Sequence, residues 1–147
     1  MPGYGVPKGS KGLLPWKWAE QRLKKSHNYW ITTVRPDGSP HTMIVWGLWL
    51  DGAFYFSTGQ QSRKAKNLAR NPRCIVCTEN ASEAVVVEGE ARRVQDPHEL
   101  KFFARYEKKY DWDMSAMQSE PIYAVLPKVA FGLYEKKFQS SATRWNF

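Results

Sequence analysis

The stretch of sequence most suggestive of chemistry runs from Asp51 to Arg73 and places cationic residues at the start of a short helix. Ser62 is a favourable N-cap residue, and the pattern predicts a helix over Arg63–Arg70. The first backbone N–H groups of a helix have no partner within it, and the helix dipole adds positive charge there. With Arg63 and Lys64 in the first turn, the segment predicts a phosphate-binding site. A solvated helix start with ordinary surface charges explains the same pattern, and spacing alone leaves both interpretations open.

The sequence around this helix start indicates how it is positioned. Residues 53–58 are rich in aromatic and β-favouring types, and they follow an Asp-Gly pair typical of a tight hairpin. A strand is therefore predicted to lead into the helix. Within the helix, Ala65, Leu68 and Ala69 share one face at i, i+3 and i+4 spacing and are expected to face the core.

Charge and composition narrow the class of protein. Twenty-two Lys and Arg against fourteen Asp and Glu give a formal net charge of +8, which favours an anionic partner. The basic residues are spread along the chain, and no recognition helix or zinc-finger spacing accompanies them, so nucleic-acid binding is disfavoured. No apolar run approaches the roughly 20 residues that span a bilayer, and no signal peptide is recognisable. A cytoplasmic protein that is not membrane-bound is therefore expected.

Aromatic, cysteine and histidine side chains are the other residues that could line a pocket or bind a metal. Seven each of Trp, Tyr and Phe indicate an aromatic-lined pocket or a buried subunit interface. Cys74 and Cys77 form a C-x-x-C motif, but they lie in a predicted strand, where residues three apart point to opposite faces. None of the three histidines pairs with a cysteine at zinc spacing. We therefore expect no metal site.

One domain is predicted over residues 15–147, after a flexible N-terminal arm over residues 1–14. Helices are expected over residues 16–27 and Arg63–Arg70. A third helix is expected to start at Pro97 after an Asp96 cap, with its core face formed by Leu100, Phe103, Ala104 and Tyr110. Strands are predicted over residues 29–34, 41–50, 53–58, 73–78, 84–94, 121–126 and 129–134, with a short terminal segment, and Gly89 is expected to mark a bulge or close contact. The first three strands would form an antiparallel meander. The pattern predicts a mainly β fold with few helices, in which six to seven antiparallel strands form a barrel.

Four segments carry a family resemblance through their order and spacing: PDGSPH at 36–41, DGAFYFST at 51–58, SRKAKNLARNPR at 62–73 and VVVEGEARRV at 85–94. In this respect the chain resembles the pyridoxamine 5'-phosphate oxidase-like family. The ending ATRWNF at 142–147 is similar to the close of many members of the deazaflavin-using branch. The resemblance implies a homodimeric split β-barrel that binds FMN, or alternatively the deazaflavin coenzyme F-420, at the subunit interface.

The resemblance also implies a set of cofactor-binding residues. Arg63 and Lys64 would hold the cofactor phosphate after Ser62, and Thr58 with Ser57 would lie nearby. Backbone groups along the strand before the Asp-Gly turn would border the ring. The remaining implied residues are Met43, Ile44, Val45, Trp46, Arg144 and Trp145. Trp46, Trp49 and Trp145 would line a pocket or simply pack in a core or dimer interface, and both interpretations stay open.

The sequence also departs from the family pattern. A pyridoxamine phosphate oxidase would place an arginine near Thr42, a lysine near Gly47 and a glutamine near Ala84, and none is present. This argues against pyridoxamine phosphate oxidation itself. Restoring the two cations is expected to tighten FMN binding, whereas their absence leaves room for the longer deazaflavin tail beside Lys66 and Arg70.

The sequence therefore predicts an FMN-dependent oxidoreductase that transfers a hydride to or from a small organic substrate. The alternatives are a reductase that depends on coenzyme F-420 and a non-catalytic carrier of flavin or porphyrin. No residue is assigned as catalytic, because the carboxylates are scattered and no Ser or Cys has a plausible His partner. His41 is interpreted as a surface histidine more readily than as a proton donor near the ring. The apolar stretch around residues 85–87 is predicted to supply the dimer interface.

Overall fold

The computed structural model describes residues 13–147, so the predicted arm lies outside the described residues except for Leu13 and Leu14. The backbone N–H of Leu14 donates to Thr143 Oγ1 at 2.9 Å. The helices are α1 (Trp16–Lys25), α2 (Arg63–Arg70), α3 (Phe102–Tyr110) and α4 (Phe138–Ser141). The strands are β1 (Tyr29–Val34), β2 (Pro40–Val45), β3 (Leu48–Leu50), β4 (Ala53–Ser57), β5 (Arg73–Thr78), β6 (Glu83–Arg93), β7 (Ile122–Tyr134) and β8 (Thr143–Asn146).

All eight strands belong to one antiparallel sheet with the order β2-β1-β5-β6-β7-β4-β3, and β8 also pairs with β7. The strands at the two ends of this order, β2 and β3, follow each other in the chain and are separated only by Trp46 and Gly47. The sheet must therefore curl until its ends approach, which makes a barrel that is split between them. The predicted mainly β, antiparallel split-barrel fold with few helices is confirmed.

The strand predicted over residues 41–50 is two strands, because its backbone is diverted at Gly47. The Tyr110 hydroxyl accepts a hydrogen bond from the Gly47 N–H at 2.9 Å, and its own hydrogen is directed to the carbonyls of Gly47 and His27, both at 2.8 Å. Lys109 Nζ also donates to the Gly47 carbonyl at 3.0 Å. Side chains of α3 therefore satisfy backbone groups that a continuous strand would pair with a neighbour.

Replacing Tyr110 by Phe is expected to destabilise the protein by about 1–3 kcal/mol, because it leaves the buried N–H of Gly47 without an acceptor. The measurement is the free energy of unfolding in urea. Tyr106→Phe is the matched control, because Tyr106 lies one turn earlier on α3, and its hydroxyl bonds to no described residue. Equal losses from the two variants would contradict this account of the break between β2 and β3.

Two glycine-dependent features are confirmed. Asp51 and Gly52 both have positive φ, at 47° and 81°, as the tight turn between β3 and β4 requires. The register between β6 and β7 shifts between Glu88 and Gly89, and a Cβ at Gly89 would lie 2.3 Å from the Leu126 carbonyl oxygen. Because this bulge accommodates Pro127 opposite Gly89, β7 continues through the proline as one strand, where the sequence predicted two.

The third helix begins at Phe102, five residues later than predicted. Asp96 does not cap a helix, because its Oδ1 accepts the N–H of His98 in a local turn, and Lys101 has a left-handed conformation with φ of 50°. The buried face is consequently formed by Phe102, Tyr106 and Tyr110. Of the four residues predicted to face the core, Ala104 is exposed, Leu100 and Phe103 are half-buried, and only Tyr110 is buried.

The first helix starts at Trp16 as predicted, and Ala19 and Leu23 are completely buried. Trp16 packs edge-on against Trp49 and Trp145 at ring distances of 5.9 and 5.3 Å. The largest fully buried side chains fill the barrel, and they include Tyr29, Phe54, Phe56, Ile31, Val76, Val85, Val87 and Val125. Within residues 13–147, no helix is both long and apolar enough to cross a membrane.

Candidate functional site

The start of α2 has the features predicted from the sequence. The helix spans Arg63–Arg70, and the Ser62 side chain accepts the N–H of Ala65 at 3.1 Å. Thr58 Oγ1 lies 3.0 Å from Ser62 Oγ and holds the capping side chain. No described residue accepts a hydrogen bond from the backbone N–H groups of Arg63 and Lys64. The segment Ser62–Lys64, called here the anion site, therefore presents two free N–H groups at the positive end of the helix.

The cations of the anion site are also free of partners. Arg63 is exposed and Lys64 is half-buried, and the only ion pairs among residues 13–147 join Arg22 to Glu83 and Lys24 to Glu20. Burial lowers the pKa of Lys64, because the charged ammonium loses part of its hydration without gaining a counter-charge. A bound phosphate would supply that charge, so these residues fit the phosphate end of a cofactor.

The loop that enters α2 is held by a segment remote in sequence. The Ser57 hydroxyl and the Thr58 N–H both donate to the Pro121 carbonyl, at 3.2 and 3.4 Å. The N–H of Gln60 donates to Glu120 Oε2 at 2.7 Å. Sequence reasoning missed Glu120, because a loop carboxylate 60 residues away from its partner carries no local signal. These bonds fix the geometry of the anion site before any ligand arrives.

Among the described strands, β2 lies at one end of the sheet order and pairs only with β1. Its His41 is close enough to Arg63 and Lys64 to feel their charges. Thr33 of β1 accepts the Asn67 amide N–H of α2 at 3.0 Å, so α2 packs on the core face of this ladder. His41 is opposite Thr33 in the register and shares that face, as does Met43 opposite Ile31. Thr42 is on the other face. An arginine at position 42 would point away from α2, whereas one at 43 would point to its side.

Two residues of α2 differ from the sequence prediction. Ala69 is exposed, and Asn67 occupies the core-facing position with no exposed surface. The amide reaches that position because Thr33 offers it a buried hydrogen-bond partner. A polar residue facing the core gives no signal in a hydrophobic periodicity, so the sequence analysis missed it.

His41 lies in a more specific environment than a surface histidine. Its Nδ1 is buried and bonds to no described residue. Burial, and then the positive charges of Arg35, Lys64 and Arg63, lower its pKa. The ring is therefore a neighbour of the anion site, and these surroundings favour its neutral form. Its position depends on the β1–β2 register, which the sequence pattern did not show.

The remaining predicted site residues are distributed over three places. Trp46 directly follows the last residue of β2 and is stacked on Tyr110, with ring centroids 4.6 Å apart. Trp145 packs against Trp16 at 5.3 Å, and the exposed Arg144 lies over Phe131 at 5.9 Å. Ser57, Thr58, Ser62, Arg63 and Lys64 lie at the end of β4 and in the segment that enters α2, and Met43 and Val45 lie on the core face of β2. Ile44 is on the outer face of β2, and Arg144 and Trp145 are on β8.

The outer face of the sheet carries an apolar row in cross-strand register. Trp30 and Ile44 are 44% and 51% exposed. Of the predicted interface residues 85–87, Val85 and Val87 are buried in the core and only Val86 faces outward. The row runs Ile44, Trp30, Cys77, Val86, Phe131 and ends at Arg144.

The two cysteines are on opposite faces of β5, as predicted. Cys74 is buried and Cys77 is half-buried, and neither forms a disulfide. Burial raises the pKa of the Cys74 thiol to about 12 and also raises that of Cys77, so neither is a thiolate at neutral pH. Among the described residues, no group of three His, Cys, Asp or Glu side chains is placed to hold a metal ion.

Comparison with known proteins places this site in a family context. The pyridoxine/pyridoxamine 5'-phosphate oxidase of Thermobifida fusca is 29% identical over 155 residues, covering 96% of this chain and 68% of that protein. An F420 reductase has a similar structure with a TM-score of 0.64 at 22% identity, covering 85% of this chain and 98% of that chain. The heme storage protein HutZ of Vibrio cholerae also has a TM-score of 0.64, at 14% identity and 75% and 87% coverage. At these identities the two structures show a common fold alone.

The family model described as pyridoxamine 5'-phosphate oxidase matches residues 16–131. That match contains α1, the whole of β2, the anion site and the bulge on β6. The chain therefore belongs to the pyridoxamine 5'-phosphate oxidase family.

Proposed function

We propose that this chain is a cytoplasmic, homodimeric flavin-type oxidoreductase that binds FMN through its phosphate at the anion site. The observation that carries the proposal is the free anion site itself. Lys64 is half-buried, its pKa is lowered by burial, and neither its ammonium nor the adjoining N–H groups have a partner among the described residues. Such an arrangement is stabilised when an anion binds.

The chain's own residues would bind and orient the cofactor. Ser62 fixes the helix start, and Arg63 and Lys64 supply charge to the phosphate. The free edge of β2 offers the backbone groups of residues 43–45 to the polar edge of the ring, because no described strand pairs with that edge. When bound, FMN supplies two-electron chemistry, which transfers a hydride to or from a small organic substrate.

The dimer is proposed from the outer face. The row from Ile44 to Phe131 exposes apolar side chains in a continuous band, and such a band is stabilised when a second copy covers it. Arg144 ends this row, so a second copy would bring its Arg144, and the adjacent Trp145, toward the cofactor of its neighbour. This arrangement would reunite the site residues that one chain keeps apart.

A deazaflavin reductase is the second candidate. Lys66 and Arg70 are exposed along α2 and have no carboxylate partner among the described residues. They would suit the extra negative charges of the coenzyme F-420 tail. Pyridoxamine phosphate oxidation itself is not proposed, because the arginine and lysine expected near Thr42 and Gly47 are missing. A carrier of flavin or porphyrin without turnover would bind its ligand and show no hydride transfer.

The test uses Lys64→Ala and the matched control Lys66→Ala, which removes the same charge from an exposed position of the same turn. Lys64→Ala is expected to weaken FMN binding roughly ten- to a hundredfold and to leave riboflavin, which has no phosphate, unchanged. Lys66→Ala should scarcely affect either flavin but should weaken F-420 if the deazaflavin is the cofactor. Dissociation constants come from flavin fluorescence titration. Equal FMN affinity in the wild type and Lys64→Ala would overturn the proposed phosphate site.

A further inference from the structure

Two buried polar atoms beside the anion site have no hydrogen-bond partner among the described residues. They are Nδ1 of His41 and Oδ1 of Asn67, and Asn67 has no exposed surface at all. The Asn67 amide N–H is bonded to Thr33 Oγ1, and Thr33 is opposite His41 in the β1–β2 register. The two unpartnered atoms therefore belong to side chains gathered at one point of the ladder.

These two atoms are chemically complementary. An amide oxygen only accepts hydrogen bonds, whereas Nδ1 of an imidazole donates when it carries a proton. A buried polar atom without a partner is unfavourable, so a proton on Nδ1 would be stabilised by the amide oxygen, either directly or through a bridging water. The neutral ring carries one N–H, which can be at either nitrogen. When Nδ1 carries a proton, Oδ1 of Asn67 is available as its acceptor.

The charges that face His41 oppose its protonation in the free protein. Arg35 approaches from the β1–β2 turn, and Arg63 and Lys64 approach from α2. Among the described residues, the charged groups that shift the pKa of this ring are these three cations, so burial and the cations together lower its pKa. A phosphate bound among the same cations would reverse the sign of the local field.

We propose that His41 takes up a proton from solvent when a phosphate group binds at the anion site, so that its imidazolium becomes a further cationic ligand of the phosphate. Nδ1–H is then directed toward Asn67, which leaves Nε2–H for the anion. This inference rests on the proposed phosphate site and adds to it a residue that couples cofactor binding to pH.

The direction of the pH effect follows from linkage. His41 has a lowered pKa in the free protein, and a bound phosphate dianion raises it. Between these two pKa values the complex holds more protons than the free protein, so FMN affinity rises as pH falls through that interval. The phosphate's own second ionisation, near pKa of about 6, opposes this trend at lower pH. A variant without the imidazole shares that opposing effect, so the difference between the two proteins isolates His41.

Isothermal titration calorimetry of FMN binding near pH 7, in two buffers with different ionisation enthalpies, counts the protons taken up. The wild type is expected to take up a fraction of a proton with FMN and none with riboflavin. His41→Gln should lack this proton uptake with FMN, because it has no imidazole at position 41. From about pH 8 to about pH 6, FMN affinity of the wild type should improve about three- to tenfold more than that of His41→Gln. His98→Gln, which removes an exposed histidine on another element, should behave like the wild type.

Imidazole ¹⁵N NMR of the wild type gives a readout that needs no substitution in the site. The chain has three histidines, and the signal absent from His41→Gln identifies this one. FMN is expected to raise the pKa of His41 and riboflavin is not. An unchanged His41 signal on FMN binding, or equal proton uptake by the wild type and His41→Gln, would overturn the inference. A failure of the proposed phosphate site would be seen in a different measurement, as equal FMN affinity in Lys64→Ala and the wild type.

Discussion

The double variant Arg63→Ala/Lys64→Ala is expected to lose FMN binding by roughly a hundred- to a thousandfold, while riboflavin binding stays almost unchanged. Two cations at one helix start act on one phosphate, and their loss leaves only the backbone N–H groups and the helix dipole. Folding should survive, because alanine is a good helix former and the Ser62 cap remains. Fluorescence titration with the two flavins measures the difference.

The control for this variant is Lys66→Ala/Arg70→Ala. It removes the same net charge from the same helix but at exposed positions beyond the anion site. Its FMN affinity should fall only slightly, because screened charges at a distance contribute little. If the control lost as much affinity as Arg63→Ala/Lys64→Ala, the general positive charge of the protein would explain FMN binding and the anion site would not.

Gly47→Ala is expected to destabilise the protein by about 3 kcal/mol or more, among the largest effects of any single substitution in this chain. A Cβ at this position would lie 2.3 Å from Phe54 Cζ and 2.6 Å from the Tyr55 carbonyl oxygen. Phe54 is fully buried and Tyr55 offers backbone, so neither can move aside cheaply. A lysine at position 47, which the sequence analysis expects to tighten FMN binding, would place its Cβ against the same atoms, so we expect it to destabilise the fold.

Gly59→Ala is the matched control for stability. The nearest atom to a Cβ there is Glu120 Oε2 at 3.9 Å, an ordinary contact, and its φ is not positive. Its free energy of unfolding should stay within about 0.5 kcal/mol of the wild type. Urea denaturation followed by circular dichroism compares the two variants, and a Gly47→Ala protein as stable as Gly59→Ala would refute the close packing described at the break.

Features specified by neighbouring residues could be predicted from the sequence. The limits of α2 and its Ser62 cap were predicted to the residue, because capping, charge and an apolar stripe all lie within one short segment. The Asp51-Gly52 turn and the bulge at Gly89 were predicted for the same reason. Local signals therefore gave both the anion site and the strands that lead to it.

Features specified by distant residues could not be predicted. The break at Gly47 depends on Tyr110, 63 positions along the chain. The faces of β2 follow from its register with β1, which places His41 and not Thr42 toward α2. The assignment of Asn67 to the core needed the partner hydroxyl of Thr33.

The hydrogen bonds from the loop before α2 to Pro121 and Glu120 have a consequence for biosynthesis. On the ribosome, the residues of α2 emerge long before this segment, which bonds to the loop across 60 and 64 positions. The strand that follows it, β7, also pairs with β4, so the barrel cannot close around the loop until most of the chain has been made. Pairings of such long sequence separation form slowly. If the proposed phosphorylated cofactor binds at the anion site, we expect its capture to be a late event in maturation that cannot guide the first stages of folding.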